Sequence, residues 1–204
     1  MSSIRGVMLL PISAKSYRSH TAHHTFLNKV NAAETVADPN LALSRMVENR
    51  VRGEVAQKLS PTDYRVLRWE QQDIQNRFSV RFRELDGVFQ AGNRTTVILE
   101  VKASASKSSI KSGLAQLRAA VKTASHAQPK IVGILAVADL GEWFDTFGQS
   151  ATRPLADHFA GMEVTLLDWP PQLPADRTDG IFVTLVPSET LGGWLPAEPQ
   201  ELLQ

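Results

Sequence analysis

The chain has 204 residues, 43% of them apolar, which is enough for one domain with a sizeable core. Its net charge of +1 neither requires nor excludes a nucleic-acid partner, and the absence of cysteine excludes disulfides, thiolate zinc sites and a cysteine nucleophile. The apolar run from Val7 to Leu10 is too short to span a membrane and lacks the cleavage pattern of a secretory signal. We therefore expect a cytoplasmic protein without a membrane partner; export by a machine that needs no signal peptide would leave no trace in the sequence.

The first 140 residues predict a helix followed by three strands, another helix and a buried strand. Residues 1–40 are weakly patterned and are interpreted as an N-terminal extension. A helix is predicted over 41–59 because apolar residues recur at four-residue spacing, and strands are predicted over 64–69, 77–89 and 95–102, where β-branched and aromatic residues recur. A second helix is predicted over 109–124, and the apolar run 131–138 predicts a buried parallel strand.

This order predicts an α/β fold, in which a mixed β-sheet is flanked by helices and the core follows the order αβββαβ. The strand 95–102, the helix and the apolar strand form a plausible βαβ crossover, which would be right-handed. Two later strands are predicted over 163–167 and 181–186. We interpret residues 41–204 as one domain, with its core at 41–140 and a C-terminal elaboration at 141–204.

Three charged residues stand out against their apolar surroundings: Asp86, Glu100 and Lys102. Side chains alternate faces along a strand, so Glu100 and Lys102 point the same way. If the two strands pair as a hairpin about Gly92, Asp86 lies opposite Glu100 to within one residue of register. Like charges in that position are destabilising unless a cation shares the site. The alternative is a solvated ion pair between Glu100 and Lys102 on an exposed strand.

The motif resembles that of the PD-(D/E)XK nuclease superfamily, which has a restriction-endonuclease-like fold. Asp86 lies near the end of the predicted strand 77–89. Glu100-Val101-Lys102 lies on the next strand, which is followed by a helix and a strand. The pattern is most similar to Holliday-junction resolvases and to related restriction and defence nucleases. Leu85 departs from the motif, since the superfamily often has proline there.

The resemblance implies a role for each motif residue in phosphodiester hydrolysis. Asp86 and Glu100 would bind Mg²⁺, with Mn²⁺ as a substitute and the carbonyl of Val101 as a third ligand. Lys102 would orient the attacking water or stabilise charge on phosphorus, and the adjacent carboxylate favours its charged form. Many members add a helix glutamate; Glu54 is preferred for that role and Glu48 is the rival, while a solvated helix carboxylate remains the alternative for both.

Five residues in or just before the predicted second helix are candidates for contacting nucleic acid. Gln116 resembles the helix glutamine that some branches of the superfamily place near the active site, although a surface glutamine is the simpler interpretation. A basic stripe spans about 60° of the helix and could follow a phosphate backbone, or it could be a solvated face; its members are Lys107, Lys111, Arg118 and Lys122. Arg77, Arg81 and Arg83 share one face of the strand 77–89 and give a weaker signal of the same kind.

The expected function is therefore that of a magnesium-dependent endodeoxyribonuclease of restriction, defence, repair or toxin type. The alternative is a nuclease-fold protein that binds DNA or a partner protein without cleaving. Many such nucleases act as symmetric homodimers, and the sequence identifies neither an interface nor a partner protein.

Overall fold

A computed structural model describes residues 3–22, 39–140, 159 and 162–194. The strands and helices that it places there are, in chain order, β1 Ile4–Leu10, α1 Pro39–Val55, β2 Ser60–Pro61, β3 Val66–Gln72, β4 Phe78–Glu84, β5 Gly87–Ala91, β6 Thr95–Lys102, α2 Lys107–Ala124, β7 Ile131–Ala138, β8 Thr165–Leu167, β9 Ile181–Val186 and α3 Ser188–Gly192. Within these ranges, no helix is long and apolar enough to cross a membrane.

The strands form two sheets, and the larger one confirms the predicted mixed α/β fold. Its six strands lie in the order β2-β5-β6-β7-β9-β8; β5 and β6 form an antiparallel hairpin, and β7, β9 and β8 continue the sheet in parallel. The predicted parallel pairing of β6 with β7 across α2 is confirmed. The smaller sheet is antiparallel, in the order β1-β3-β4.

Helices α1 and α2 bury opposite faces of strand β6. On one face, Val97, Leu99 and Val101 belong to a buried cluster that includes the apolar stripe of α1. On the other face, Ile98 packs in a second cluster with apolar residues of α2 and of the smaller sheet. Because side chains alternate along a strand, Glu100 and Lys102 share the α2 side with Ile98. This alternation directs both charged groups toward α2.

The predicted strand 77–89 is wrong as a single element, because the chain changes sheets within it. Strand β4 ends at Glu84 in the smaller sheet, and β5 starts at Gly87 in the larger one. Leu85 between them is buried and Asp86 sits in the bend. Strand propensity is similar on both sides of the break, so periodicity alone does not reveal the change of partner.

Residues outside the predicted core also contribute strands. Strand β1, within the segment interpreted as an extension, pairs with β3, and its register shifts near Gly6, whose φ of 58° suits a bulge residue without a side chain. Val7 and Leu9 pack against the buried cluster on the α2 side. Downstream of the predicted core, β9 joins the large sheet beside β7. The region after residue 140 therefore completes the sheet that carries the motif strand.

Candidate active site

The hairpin of β5 and β6 brings Asp86 next to Glu100, as the spacing predicts. The last backbone pair of the hairpin is Gly87 with Leu99, so Asp86 follows at the level of Glu100. Because β5 starts only at Gly87, the Asp86 carboxylate replaces a strand partner: its Oδ2 accepts a hydrogen bond of 2.7 Å from the backbone N–H of Val101. The N–H and C=O of an extended residue point to the same side of the strand, so the Val101 carbonyl faces the side that holds Asp86.

Lys102 lies between a buried carboxylate and the helix α2. Its Nζ donates to Glu100 Oε1 at 2.7 Å and to Gln116 Oε1 at 2.8 Å. The side chain of Glu100 is only 9% exposed, whereas that of Lys102 is 21% exposed. Gly113 leaves room for this lysine, because a Cβ there would lie 2.9 Å from Lys102 Cγ. Gln116 is thus in contact with the motif although it lies off the apolar stripe of α2.

Arg83 is a further member of the site that the sequence marked only weakly. Its Nη2 lies 3.5 Å from Glu100 Oε2, and its Nη1 donates to the backbone carbonyl of Gln116 at 2.9 Å. Glu100 therefore faces a cation on each of its oxygens. The only signal in the sequence was the alternation of Arg83 with Arg81, which is exposed on the same strand.

Burial and mutual repulsion perturb the carboxylates of the site. Burial first, and then the negative charge of Glu100, raise the pKa of Asp86 from 3.8 to about 6, against the opposing effects of the Val101 N–H and of Lys102. Burial also raises the pKa of Glu48, while Lys102 lowers it and Glu100 raises it further. Carboxylates that repel one another in a partly buried place are typical of functional sites.

The structure favours Glu48 over Glu54 as the helix carboxylate of the site. Glu48 raises the pKa of Asp86 and responds to the charges of Glu100 and Lys102. Glu54 lies six residues further along α1, which places it about 9 Å from Glu48 along the helix axis and about 120° around the helix. The preference for Glu54 rested on its place beside the apolar stripe, and that place says little about distance from β6.

The ligand types at this site suit a hard divalent ion, although they do not form a complete metal site. Within the described ranges, no group of three His, Asp or Glu side chains is arranged to hold a metal. Two carboxylates and one backbone carbonyl suit Mg²⁺, which keeps several of its waters. Burial raises the pKa of Asp86 most and the charge of Glu100 raises it further; a cation between Asp86 and Glu100 would offset both effects by stabilising the ionised carboxylates. To bind it, Glu100 would exchange its contact with Lys102 or Arg83.

The basic stripe of α2 lies away from this site. Its four members are exposed on the helix surface; they are Lys107, Lys111, Arg118 and Lys122. At 100° per residue, Gly113 and Gln116 lie about 150° around the helix from the middle of the stripe. Because Gly113 and Gln116 flank Lys102, the stripe borders a different surface, and its role in following a nucleic-acid strand through the site gains no support.

Comparisons with protein-family models, with curated proteins and with solved structures found no match to this chain. The resemblance to the PD-(D/E)XK superfamily thus rests on the motif residues and their spacing, and function must be argued from the site itself.

Proposed function

We propose that this protein is a divalent-metal-dependent nuclease that hydrolyses phosphodiester bonds of DNA and acts in the cytoplasm. The observation that carries the proposal is the convergence of Asp86 and Glu100 at the start of β5, with Lys102 hydrogen-bonded to Glu100 at 2.7 Å. The raised pKa of Asp86 supports it, because a structural ion pair would not need a second, repelling carboxylate.

Each residue of the site has a separate task in this proposal. Asp86 and Glu100, with the Val101 carbonyl, would hold Mg²⁺ or Mn²⁺, and Glu48 would add negative charge nearby. When bound, the ion supplies a Lewis acid for the phosphate and a more acidic water as nucleophile. The ammonium group of Lys102, held by Gln116 Oε1 at 2.8 Å, donates a hydrogen bond to the phosphate oxygen that gains charge.

The reaction breaks the bond between phosphorus and the 3′ oxygen. Water adds to phosphorus, its proton is lost to solvent, and the departing 3′ oxygen takes up a proton, which leaves a 5′ phosphate and a 3′ hydroxyl. The resemblance to the superfamily supports this direction of cleavage. Arg83 acts as a positioning residue, since it holds Glu100 Oε2 at 3.5 Å and the turn of α2 that carries Gln116.

The direct test is cleavage of supercoiled plasmid with Mg²⁺ or Mn²⁺. We expect nicking or linearisation by the wild type, abolished by EDTA and by Glu100→Gln, a change that keeps the side-chain size. Glu189→Gln is the matched control, because Glu189 is an exposed carboxylate on α3, apart from the motif strands. Cleavage that survives Glu100→Gln would contradict the proposed site.

One observation favours the second candidate, a nuclease-fold protein that binds DNA or a partner protein without cleaving. Both oxygens of Glu100 already face cations, namely Lys102 and Arg83. Titration calorimetry with Mn²⁺ separates the candidates. Binding that is lost in Asp86→Asn and in Glu100→Gln supports the nuclease, whereas DNA binding without metal binding and without cleavage supports the second candidate.

A further inference from the structure

A cleft of about 690 Å³ between α1 and the segments that follow β1 and β2 is rich in arginine. Arg18, Arg52 and Arg65 line it, against Asp63 as the one acidic residue among its lining groups. Apolar and small polar residues of the segments after β1 and β2 form the rest of the wall. The cleft therefore has a net positive lining of a kind that suits an anion.

Two of these arginines have donors that the described residues do not satisfy. The Nε atoms of Arg52 and Arg65 are buried and have no hydrogen-bond partner there. Each guanidinium makes one neighbouring contact: Arg65 Nη2 binds Glu84 Oε1 at 2.9 Å, and Arg52 Nη2 donates to Asn49 Oδ1 at 2.9 Å. Because these Nε atoms are shielded from solvent, a ligand in the cleft would be bound by the other N–H groups of the two guanidiniums, each of which carries five donors in all.

The cleft adjoins the carboxylate site along α1. Arg52 follows Glu48 by four residues, so the two side chains lie on the same face of α1, about 6 Å or one turn apart along the axis. Glu84, the partner of Arg65, is two residues before Asp86, and its charge also acts on Glu48. Since phosphates of one strand follow each other every 3.4 Å or so along a duplex, one turn of helix corresponds to about one or two nucleotides.

We propose that Arg18, Arg52 and Arg65 form a subsite for a backbone phosphate of the nucleic-acid strand, next to the phosphate held at the carboxylate site. The assignment of the strand rests on the proposed function, whereas the anion chemistry rests on the cleft alone. Guanidinium groups suit this ligand because their planar set of donors matches the oxygens of a phosphate. The subsite would fix the position of the strand while Asp86 and Glu100 act on the neighbouring bond.

The test is DNA binding by the full chain in EDTA, where cleavage does not occur, measured by fluorescence anisotropy of a labelled oligonucleotide. We expect the double variant Arg52→Gln/Arg65→Gln to bind about tenfold or more weakly, and the slope of log affinity against log salt to fall by about 1. The charge-matched control is Lys58→Gln/Arg177→Gln, two exposed cations that do not line the cleft. Equal losses in the two double variants would overturn the subsite.

A third variant distinguishes weaker DNA binding from a failure to fold. Arg18 is exposed, so Arg18→Gln leaves the packing unchanged and should still weaken binding measurably. Circular dichroism melting curves of all variants identify those that fold. Unchanged DNA binding by Arg18→Gln and by a folded Arg52→Gln/Arg65→Gln variant contradicts the proposal.

Two further measurements distinguish a DNA phosphate from free phosphate as the ligand, and test the subsite independently of the nuclease activity. Inorganic phosphate that stabilises the wild type but not Arg52→Gln/Arg65→Gln, with DNA binding equal in both, indicates a free-phosphate site and overturns the strand subsite. Plasmid cleavage that needs Glu100 but not the arginines leaves the nuclease standing and removes the subsite. Binding of DNA that needs the arginines, without any cleavage, supports the subsite and removes the nuclease.

Discussion

The backbone N–H of Val101 donates a 2.7 Å hydrogen bond to Oδ2 of Asp86, in the bend just before β5. This bond joins the carboxylate to the strand that carries Glu100 and Lys102, so two parts of the site cannot shift independently. It also opposes the rise in the pKa of Asp86 that burial and Glu100 cause. The same contact therefore positions the carboxylate and stabilises its charged form.

Asp86→Asn is expected to stabilise the fold at neutral pH. The folded-state pKa of Asp86 is about 6, above the ordinary aspartate value of 3.8, so ionisation destabilises the folded protein. The penalty is absent below about pH 3.8 and fully present above about pH 6. Asparagine keeps an acceptor for the Val101 N–H but carries no charge. We expect a gain of about 2 to 3 kcal/mol in the free energy of unfolding at pH 7.5, vanishing near pH 4, measured by urea denaturation. A variant less stable than the wild type at pH 7.5 contradicts this account.

Mg²⁺ or Mn²⁺ should raise the melting temperature of the wild type, because a ligand that binds only the folded state stabilises it. The effect should weaken as the pH falls through about 6, since the proton on Asp86 competes with the cation. Asp86→Asn and Glu100→Gln should lose the shift, while Glu189→Gln retains it. Differential scanning fluorimetry at pH 5 and pH 7.5 measures the dependence; an equal shift in Asp86→Asn would point to a metal site elsewhere.

Replacement of Lys102 by methionine should reduce plasmid cleavage about 100-fold or more, because one preorganised donor to a developing charge is worth that much. Gln116→Leu should cost less, about tenfold, since it removes only the group that orients Lys102 at 2.8 Å. The control is Lys122→Met, an exposed lysine on the opposite flank of α2. The initial rates of supercoil loss give the comparison, and normal cleavage by Lys102→Met would remove Lys102 from the mechanism.

Glu48→Gln and Glu54→Gln form a matched pair on one helix. Because Glu48 acts electrostatically on Asp86, its neutralisation should lower the pKa of Asp86 and alter Mn²⁺ affinity severalfold. Glu54→Gln should leave both quantities near the wild-type values. Calorimetric titration with Mn²⁺ as a function of pH measures both quantities. A larger effect of Glu54→Gln than of Glu48→Gln would identify Glu54 as the helix carboxylate of the site.

Gly113→Ala tests the room that α2 leaves for Lys102. A Cβ at Gly113 would lie 2.9 Å from both Lys102 Cγ and Leu135 Cδ1, so the lysine should be displaced and cleavage should fall about tenfold or more. Gly53→Ala is the control, since nothing lies within 4 Å of the added Cβ and alanine favours the helix by about 1 kcal/mol. Plasmid cleavage and melting temperature are measured for both variants, so that displacement of Lys102 is distinguished from a change in stability. Full cleavage by Gly113→Ala would contradict the displacement of Lys102.

Local sequence determined those elements whose pattern does not depend on distant partners. The bounds of β6 and β7 agree with the predicted strands 95–102 and 131–138, because long apolar and β-branched runs between turn residues have few alternatives. The register that sets Asp86 at the level of Glu100 was also predictable, since a short hairpin fixes the pairing of its strands.

Tertiary structure decided which further side chains reach those residues. Arg83 contacts Glu100 only because the chain passes from the smaller sheet to the larger one between β4 and β5, and Gln116 reaches Lys102 only because α2 packs over β6 with Gly113 at the crossing. The choice between Glu48 and Glu54 depended on how α1 lies across the opposite face, which helical periodicity does not specify. Alternation and turn chemistry act over a few residues, whereas packing between layers brings together residues far apart in the chain, and the sequence pattern carries no direct record of that distance.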